Sequence, residues 1–186
     1  MLNGCFLAIP LPEDQVSLFV QMCNELKLLK PAVRFQKADS PHLTLLYFGQ
    51  LREDKYAKIL DKMPLVIDGI EPFELEIKGT DFFGSDTYPR VVWLGVNPND
   101  ELGKLQIAIR EHVGAYSAKK DERPFHAHLT IARIESAKKF LQIKKEFTQI
   151  ANNFQFKFTA DRIRVYLADT VAGIRQIPAA DFLMQN

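Results

Sequence analysis

Cysteine is scarce in this 186-residue chain: Cys5 and Cys23 are its two copies, and they form no CxxC pair. Neither a disulfide scaffold nor a zinc site built on thiolates is expected from them. Both read as buried thiols of a reducing cytoplasm. Charge of one sign is missing too. Lys and Arg total 24 against 23 Asp and Glu, for a net charge of +1. Proteins that wrap long duplex nucleic acid carry a larger positive excess, whereas a small anion or the end of an RNA remains compatible. In the local basic run of Arg133, Lys138, Lys139, Lys144 and Lys145, the lysines read as a solvated helix face. No apolar run approaches the roughly 18 residues of a membrane span. Residues 1–10 have no basic start and only a short apolar stretch, so no signal peptide is expected. What the chain does have is 47% hydrophobic and 25% charged residues, the balance of an ordinary soluble globular protein. Its length fits one domain over residues 1–186, or two small lobes sharing a core.

Hydrophobic periodicity divides the chain into strands and helices. Residues 4–10 are apolar, short and bounded by proline, as a strand should be. From Glu13 the pattern turns helical, with Val16, Phe19, Val20, Cys23 and Leu26 on one face, and Pro31 closes it. Residues 40–49 form an apolar and aromatic strand that ends on Gly49. A short helix over 53–63 follows, then strands over 73–79 and 90–96 and a helix over 100–116. Residues 126–134 read as a strand and 136–151 as a helix. Phe154, Phe156 and Phe158 alternate at period two, and so do Ile163, Val165 and Leu167, which gives two late strands. Residues 173–183 add a last one, at an edge because Pro178 cannot donate to a central ladder.

Beneath this order lies a duplication. His42 matches His128 at an offset of 86 (128 − 42), and Thr44 matches Thr130 at the same offset. Phe6-Leu-Ala-Ile-Pro-Leu-Pro12 falls on Val92-Trp-Leu-Gly-Val-Asn-Pro98 at 86 as well, and Leu75 and Ile77 fall on Asp161 and Ile163 as a partial match. Two copies are too few for a solenoid. The expectation is an α+β fold of two pseudo-twofold-related lobes. Each would be an antiparallel sheet with helices packed outside, and the active-site cleft would lie between the sheets.

The repeated motif carries the chemistry: His42-Leu43-Thr44-Leu45 and His128-Leu129-Thr130-Ile131. With four histidines and seven threonines in the chain, two H-x-T hits arise by chance in about one chain in a hundred. The shared leucine and the matching place in the repeat make coincidence rarer still. Residues i and i+2 of a strand point to one face. Each strand therefore offers an imidazole and a hydroxyl together, while Leu43, Leu45, Leu129 and Ile131 point into the core. Two such strands around a twofold give two imidazoles and two hydroxyls about one cavity. That set suits phosphodiester cleavage without metal. One neutral imidazole takes a proton from the nucleophile, the other, protonated, gives one to the leaving oxygen, and both roles are open near neutral pH. The threonine hydroxyls bond the non-bridging oxygens as charge gathers there.

His42-Leu-Thr-Leu-Leu-Tyr-Phe-Gly49 and Arg123-Pro-Phe-His-Ala-His-Leu-Thr-Ile-Ala-Arg133 resemble the two signature motifs of the two-histidine (2H) phosphoesterase superfamily. The second resembles its bacterial and archaeal RNA 2′,3′-cyclic phosphodiesterase branch, historically named 2′-5′ RNA ligase. The likeness extends from the opening strand through Pro89-Arg-Val-Val-Trp-Leu-Gly-Val96 to Val165-Tyr-Leu. It implies catalytic roles for His42 and His128, phosphate contacts for Thr44, Thr130 and Arg133, no cofactor, and hydrolysis of an RNA or nucleotide 2′,3′-cyclic phosphate to a 2′-phosphomonoester. The chain departs from the family at Ala127, where proline is usual, and over Leu167-Ala-Asp-Thr170, where a serine is frequent. Strand parity leaves a question at Arg133. It lies five residues past His128, an odd number, so an undistorted strand would send it to the opposite face. Either the strand bulges near its end or Arg133 acts through its length.

Three other readings compete. The same machinery run backwards would join a cyclic phosphate to a 5′-hydroxyl, as a 2′-5′ RNA ligase. A binding module for RNA ends would keep the cleft and need no matched acid and base. His126 and His128, at i and i+2, could chelate a metal, but His42 is the one further histidine near them and His112 falls mid-helix. His126 reads better as a residue of the cavity rim. The protein is expected to act as a cytoplasmic monomer on RNA ends or nucleotides bearing a 2′,3′-cyclic phosphate, with no membrane partner.

Overall fold

A computed structural model describes residues 1–37, 41–117, 124–169 and 175–185. Among them nine strands and four helices follow in the order β1 (Leu2–Pro10), α1 (Glu13–Lys27), β2 (Val33–Phe35), β3 (His42–Leu51), α2 (Glu53–Ile67), β4 (Phe73–Gly84), β5 (Pro89–Val96), α3 (Asp100–Val113), β6 (His128–Ile134), α4 (Ala137–Asn152), β7 (Phe156–Ala160), β8 (Arg162–Asp169) and β9 (Arg175–Leu183). Ser40, Arg123 and residues 170–174, which the sequence patterns include, lie outside the described residues. The periodicity finds every helix. It overruns α3, which gives way at Gly114–Tyr116 to a 3₁₀ turn, and it misses β2. Three residues are too short to show period two, and β2 forms because it extends the ladder along β6.

All nine strands join one curled antiparallel sheet in the order β7-β4-β5-β6-β3-β1-β8-β9, with β2 also on β6. The two expected sheets are thus fused. Their junction is the meeting of β3 and β6, where Leu43 stands opposite Leu129. Those leucines are repeat equivalents (129 − 43 = 86), so each pairs with its own copy. An antiparallel pair of equivalent residues has a local twofold between them, and the axis inferred from the sequence passes there.

The lobes are not the halves of the chain. β4, which ends the first repeat, pairs with β5, which opens the second. β8, late in the second repeat, returns to pair with β1. Each repeat completes the lobe of the other. The registers also correct the sequence offsets. Ala8 lies opposite Thr44 and Trp93 opposite Thr130, so β1 maps onto β5 at 85 (93 − 8) and not 86. Tyr166 lies opposite Phe6 and Phe83 opposite Val91, so β4 maps onto β8 at 83 (166 − 83). Connections of unequal length absorb the differences.

The helices cover the sheet face that carries the leucines. Leu43, Leu129 and Ile131 are wholly buried, in one core with Phe19 and Met22 of α1, Ile59 of α2, Ile109 of α3 and Phe147 of α4. Each helix supplies these residues at three- and four-residue spacing, the stripe that burial requires. Asn99 caps α3, its side-chain oxygen accepting from the Leu102 N–H at 2.8 Å, a contribution of about 1 kcal/mol. Period two leaves His42, Thr44, His128 and Thr130 on the opposite face.

Gly95 sits beside this face, paired with His128. A Cβ there would come within 2.6 Å of the Lys78 carbonyl oxygen, which belongs to the backbone of β4. Gly95→Ala should therefore cost about 1–3 kcal/mol of stability, as overpacking does, read as a lower urea midpoint. An unchanged midpoint would show that β4 and β5 separate freely here.

Candidate active site

Both H-x-T strands carry the same irregularity. Along β1 and β3 the register passes from Ala8 opposite Thr44 to Leu7 opposite Leu46, leaving Leu45 unopposed. Along β5 and β6 it passes from Trp93 opposite Thr130 to Val92 opposite Ala132, leaving Ile131 unopposed. The two extra residues are again repeat equivalents. A bulge shifts side-chain parity by one. Ile131 and Ala132 are consecutive and both fully buried, and Arg133 is returned to the face of His128 and Thr130. The parity question is settled in favour of the bulge. By the same shift Tyr47, the repeat equivalent of Arg133, comes out on the face of His42 and Thr44, 59% exposed.

These shifts build a pocket of about 130 Å³ lined by His42, Thr44, Thr130 and Arg133 together with Phe6, Gln36, Tyr47 and Gln176. Four of the five residues singled out from the sequence thus share one wall. The fifth, His128, stands two residues before Thr130 on the same face, but it is not among the residues that line the pocket. In the register set by Leu43 and Leu129, His42 falls opposite Thr130 and Thr44 opposite His128.

Each histidine is braced by aromatic rings. His42, 9% exposed, has the rings of Phe6 at 4.8 Å and Tyr166 at 5.1 Å, and those two stack at 5.0 Å. His128 has Phe83 edge-on at 4.8 Å, with Trp93 and His126 behind. Tyr166 and Phe83 are repeat equivalents on the exchanged strands β8 and β4. Each exchange thus delivers an aromatic side chain to the histidine of the lobe it enters.

The His128 ring is also fixed by a hydrogen bond. Its Nδ1 lies 2.7 Å from the His126 carbonyl oxygen. A carbonyl only accepts, so Nδ1 carries the proton, and in the neutral ring Nε2 keeps its lone pair. Burial pushes the His128 pKa below the ordinary imidazole value; the carbonyl bond works against that shift and the neighbouring His126 adds to it. His126 itself is exposed at the rim, its ring 4.6 Å from Trp93. The His126 and His128 rings lie nearly parallel, 6.3 Å apart, so they do not converge on one point. Among the described residues no three His, Cys, Asp or Glu groups are placed to hold a metal ion. His112 is far off on α3, its Nδ1 bonded to the Ala108 carbonyl one turn back.

Four lining residues have no role assigned from the sequence, although Tyr47 is among the aromatics that could stack on a base. Gln36 and Gln176 close one side by a hydrogen bond of 2.9 Å between amides 140 residues apart. Nothing local marks either glutamine. Phe6 looked like any strand residue. Tyr47 had a signal, since carrying Arg133 back by the repeat offset lands on it.

Residues 12–171 match the family described as the 2′-5′ RNA ligase superfamily. Among curated proteins, the RNA 2′,3′-cyclic phosphodiesterase of Methanothermobacter thermautotrophicus is 32% identical over 130 residues, 70% of each chain. That of Methanocaldococcus jannaschii is 27% identical over 166 residues, 87% of this chain and 88% of its own. The crystal structure of E. coli LigT complexed with 3′-AMP shares the fold, with a TM-score of 0.75, 23% identity and all of both chains covered. The sequence match over most of the chain and the repeated H-x-T strands agree: this protein belongs to the 2′-5′ RNA ligase superfamily, the 2H phosphoesterases.

Proposed function

We propose that the protein hydrolyses the 2′,3′-cyclic phosphate at an RNA end to a 2′-phosphomonoester, with His42 and His128 as its acid–base pair and no metal. The observation that carries this reading is the Leu43–Leu129 pairing, which sets two histidine–threonine pairs against each other on one face. The names of the curated relatives, RNA 2′,3′-cyclic phosphodiesterases, support the substrate.

His128 fits the general base. Its lowered pKa leaves it neutral at pH 7, and its Nδ1–H bond leaves Nε2 bare. Nε2 takes a proton from water as the water oxygen bonds to phosphorus. The bond from phosphorus to the ribose O3′ breaks, and protonated His42 gives its proton to O3′. The products are a 2′-phosphate and a free 3′-hydroxyl. Thr44 and Thr130 donate to the non-bridging oxygens, and the Arg133 fork pairs with the anion, where preorganised donors are most effective. No helix among the described residues is long and apolar enough to cross a membrane.

His42→Ala and His128→Ala should each lower turnover of a short RNA ending in 2′,3′-cyclic phosphate by about 10²–10⁴-fold with EDTA present. The double variant should be little worse than the poorer single one, because acid and base act as a unit. Thr44→Ala and Thr130→Ala should lose less, and Arg133→Lys should lose activity because an ammonium lacks the fork. His126→Ala should be mild. A folded His42→Ala protein with full activity would falsify the mechanism, and activity abolished by EDTA and restored by zinc would replace it with a metal-dependent one.

The pH dependence has a defined sign. A base must be unprotonated, so kcat/KM should rise with pH through the His128 pKa, below the ordinary 6.5 of imidazole, and fall again as His42 loses its proton. His126→Ala removes a like charge and admits water, two changes that both raise the His128 pKa. NMR titration of the His128 ring protons should show that rise, and the acidic limb of the rate profile should move with it. A downward move in both would refute the base assignment.

A further inference from the structure

We infer that Arg34 forms, beside Arg133, a second anion subsite that takes the phosphodiester next to the reacting one. The preferred substrate is then the end of an RNA chain rather than a free cyclic mononucleotide. The inference rests on the hydrolytic reading above.

β2 lies along β6 with Arg34 directly opposite Arg133. Opposed residues of an antiparallel pair project to the same face, with Cβ atoms about 4.5–5.5 Å apart, and like charges placed so are destabilising. Both arginines are exposed. Among the described residues neither guanidinium has an ion-pair partner, Glu135 just beyond β6 included. Two unneutralised cations held side by side call for an anion between or across them.

The backbone under them is firmly held. Gln36 N–H donates to the Ile131 carbonyl at 2.7 Å and Glu135 N–H to the Ala32 carbonyl at 2.9 Å, bracketing β2. On the other face Phe35 packs against Phe147 in the core. Arg34 therefore stands on a fixed base, with Gln36, two residues on, in the pocket wall.

Position decides which anion. Arg34 lies outside the lining of the pocket, whereas Arg133 is part of it. The pocket, at about 130 Å³, is smaller than the roughly 300–1,000 Å³ that encloses a drug-sized ligand. It accommodates the reacting phosphate and leaves the rest of the ligand outside. Arg133 lies three residues along β6 from Thr130, about 10 Å at strand rise, and Arg34 is level with it. An arginine side chain is long enough to reach back over part of that span, so a ligand bonded to both the threonines and Arg34 must carry a second negative group somewhat nearer than that to the first. The next phosphodiester of a nucleotide chain is such a group, and a cyclic mononucleotide has none.

The test compares a cyclic-phosphate mononucleotide with a trinucleotide ending in the same cyclic phosphate, and with that trinucleotide carrying an uncharged methylphosphonate at its last internal linkage. Arg34→Ala should lower kcat/KM about tenfold on the charged trinucleotide, the size of one charge-assisted hydrogen bond, and leave the mononucleotide unchanged. The methylphosphonate should cost the native protein about the same and cost Arg34→Ala nothing more. Arg34→Lys should recover part of the loss. Equal losses on mononucleotide and trinucleotide, no loss on either, or a full methylphosphonate effect in Arg34→Ala would each overturn the subsite. If the native protein turns over none of these RNAs, the hydrolytic reading has failed. The subsite is then read from anisotropy with a labelled trinucleotide ending in 2′-phosphate. Arg34→Ala should bind it more weakly, with a salt slope smaller by about 0.7, one single-strand phosphate. Unchanged binding and slope would overturn it.

Discussion

One cross-strand contact organises this molecule: Leu43 against Leu129, each facing its own copy across the middle of the sheet. Both are fully buried, so the contact is held by the core and not by the polar face above it. Burying two leucine side chains contributes about 1.5–3 kcal/mol each. The flanking residues then have no choice of side. A slip of one residue would turn both histidines and both threonines into the core and the leucines out. Register, and with it the presence of a site, is fixed by hydrophobic burial on the face that has no chemistry.

The symmetry is used but not kept. Both strands have the same bulge at the same place, and each delivers a side chain to the pocket past the threonine. One lobe delivers Tyr47 and the other Arg133. The two histidines also differ. His42 is enclosed between Phe6 and Tyr166, while His128 sits against Phe83 with its Nδ1 bonded to a carbonyl. A symmetric pair of imidazoles has no reason to divide into acid and base. For the proposed acid–base division these unequal surroundings supply one, because burial and hydrogen bonding bias which protonation state a ring favours.

Much of this was legible in the sequence and some was not, for physical reasons. Period two gave the face of His42, Thr44, His128 and Thr130, and the equal spacing gave the twofold. The bulge was hidden because Leu45 and Ile131 are what any core strand would carry. The adjacent apolar pair Ile131-Ala132 is the trace it leaves. The return of β8 to β1 was hidden because that pairing is non-local: nothing in residues 162–169 says that they pair with the first strand of the chain. The Gln36–Gln176 contact joins segments 140 residues apart, beyond the reach of any local pattern.

The exchange of β4 and β8 has a consequence for how the chain is made. Apart from the three-residue β2, one lobe is drawn from a continuous stretch, since β4, β5, β6 and β7 all lie within residues 73–160. The other is split: Leu7 of β1 waits for Val165 of β8, which the ribosome adds 158 residues later (165 − 7). At about 5–20 residues per second, that is on the order of ten seconds or more with one edge of β1 unpaired. An uncovered strand edge invites pairing with a foreign chain. The N-terminal lobe, which holds His42, is therefore the part of the nascent protein most exposed to misassembly, and it is completed only when the last strands emerge.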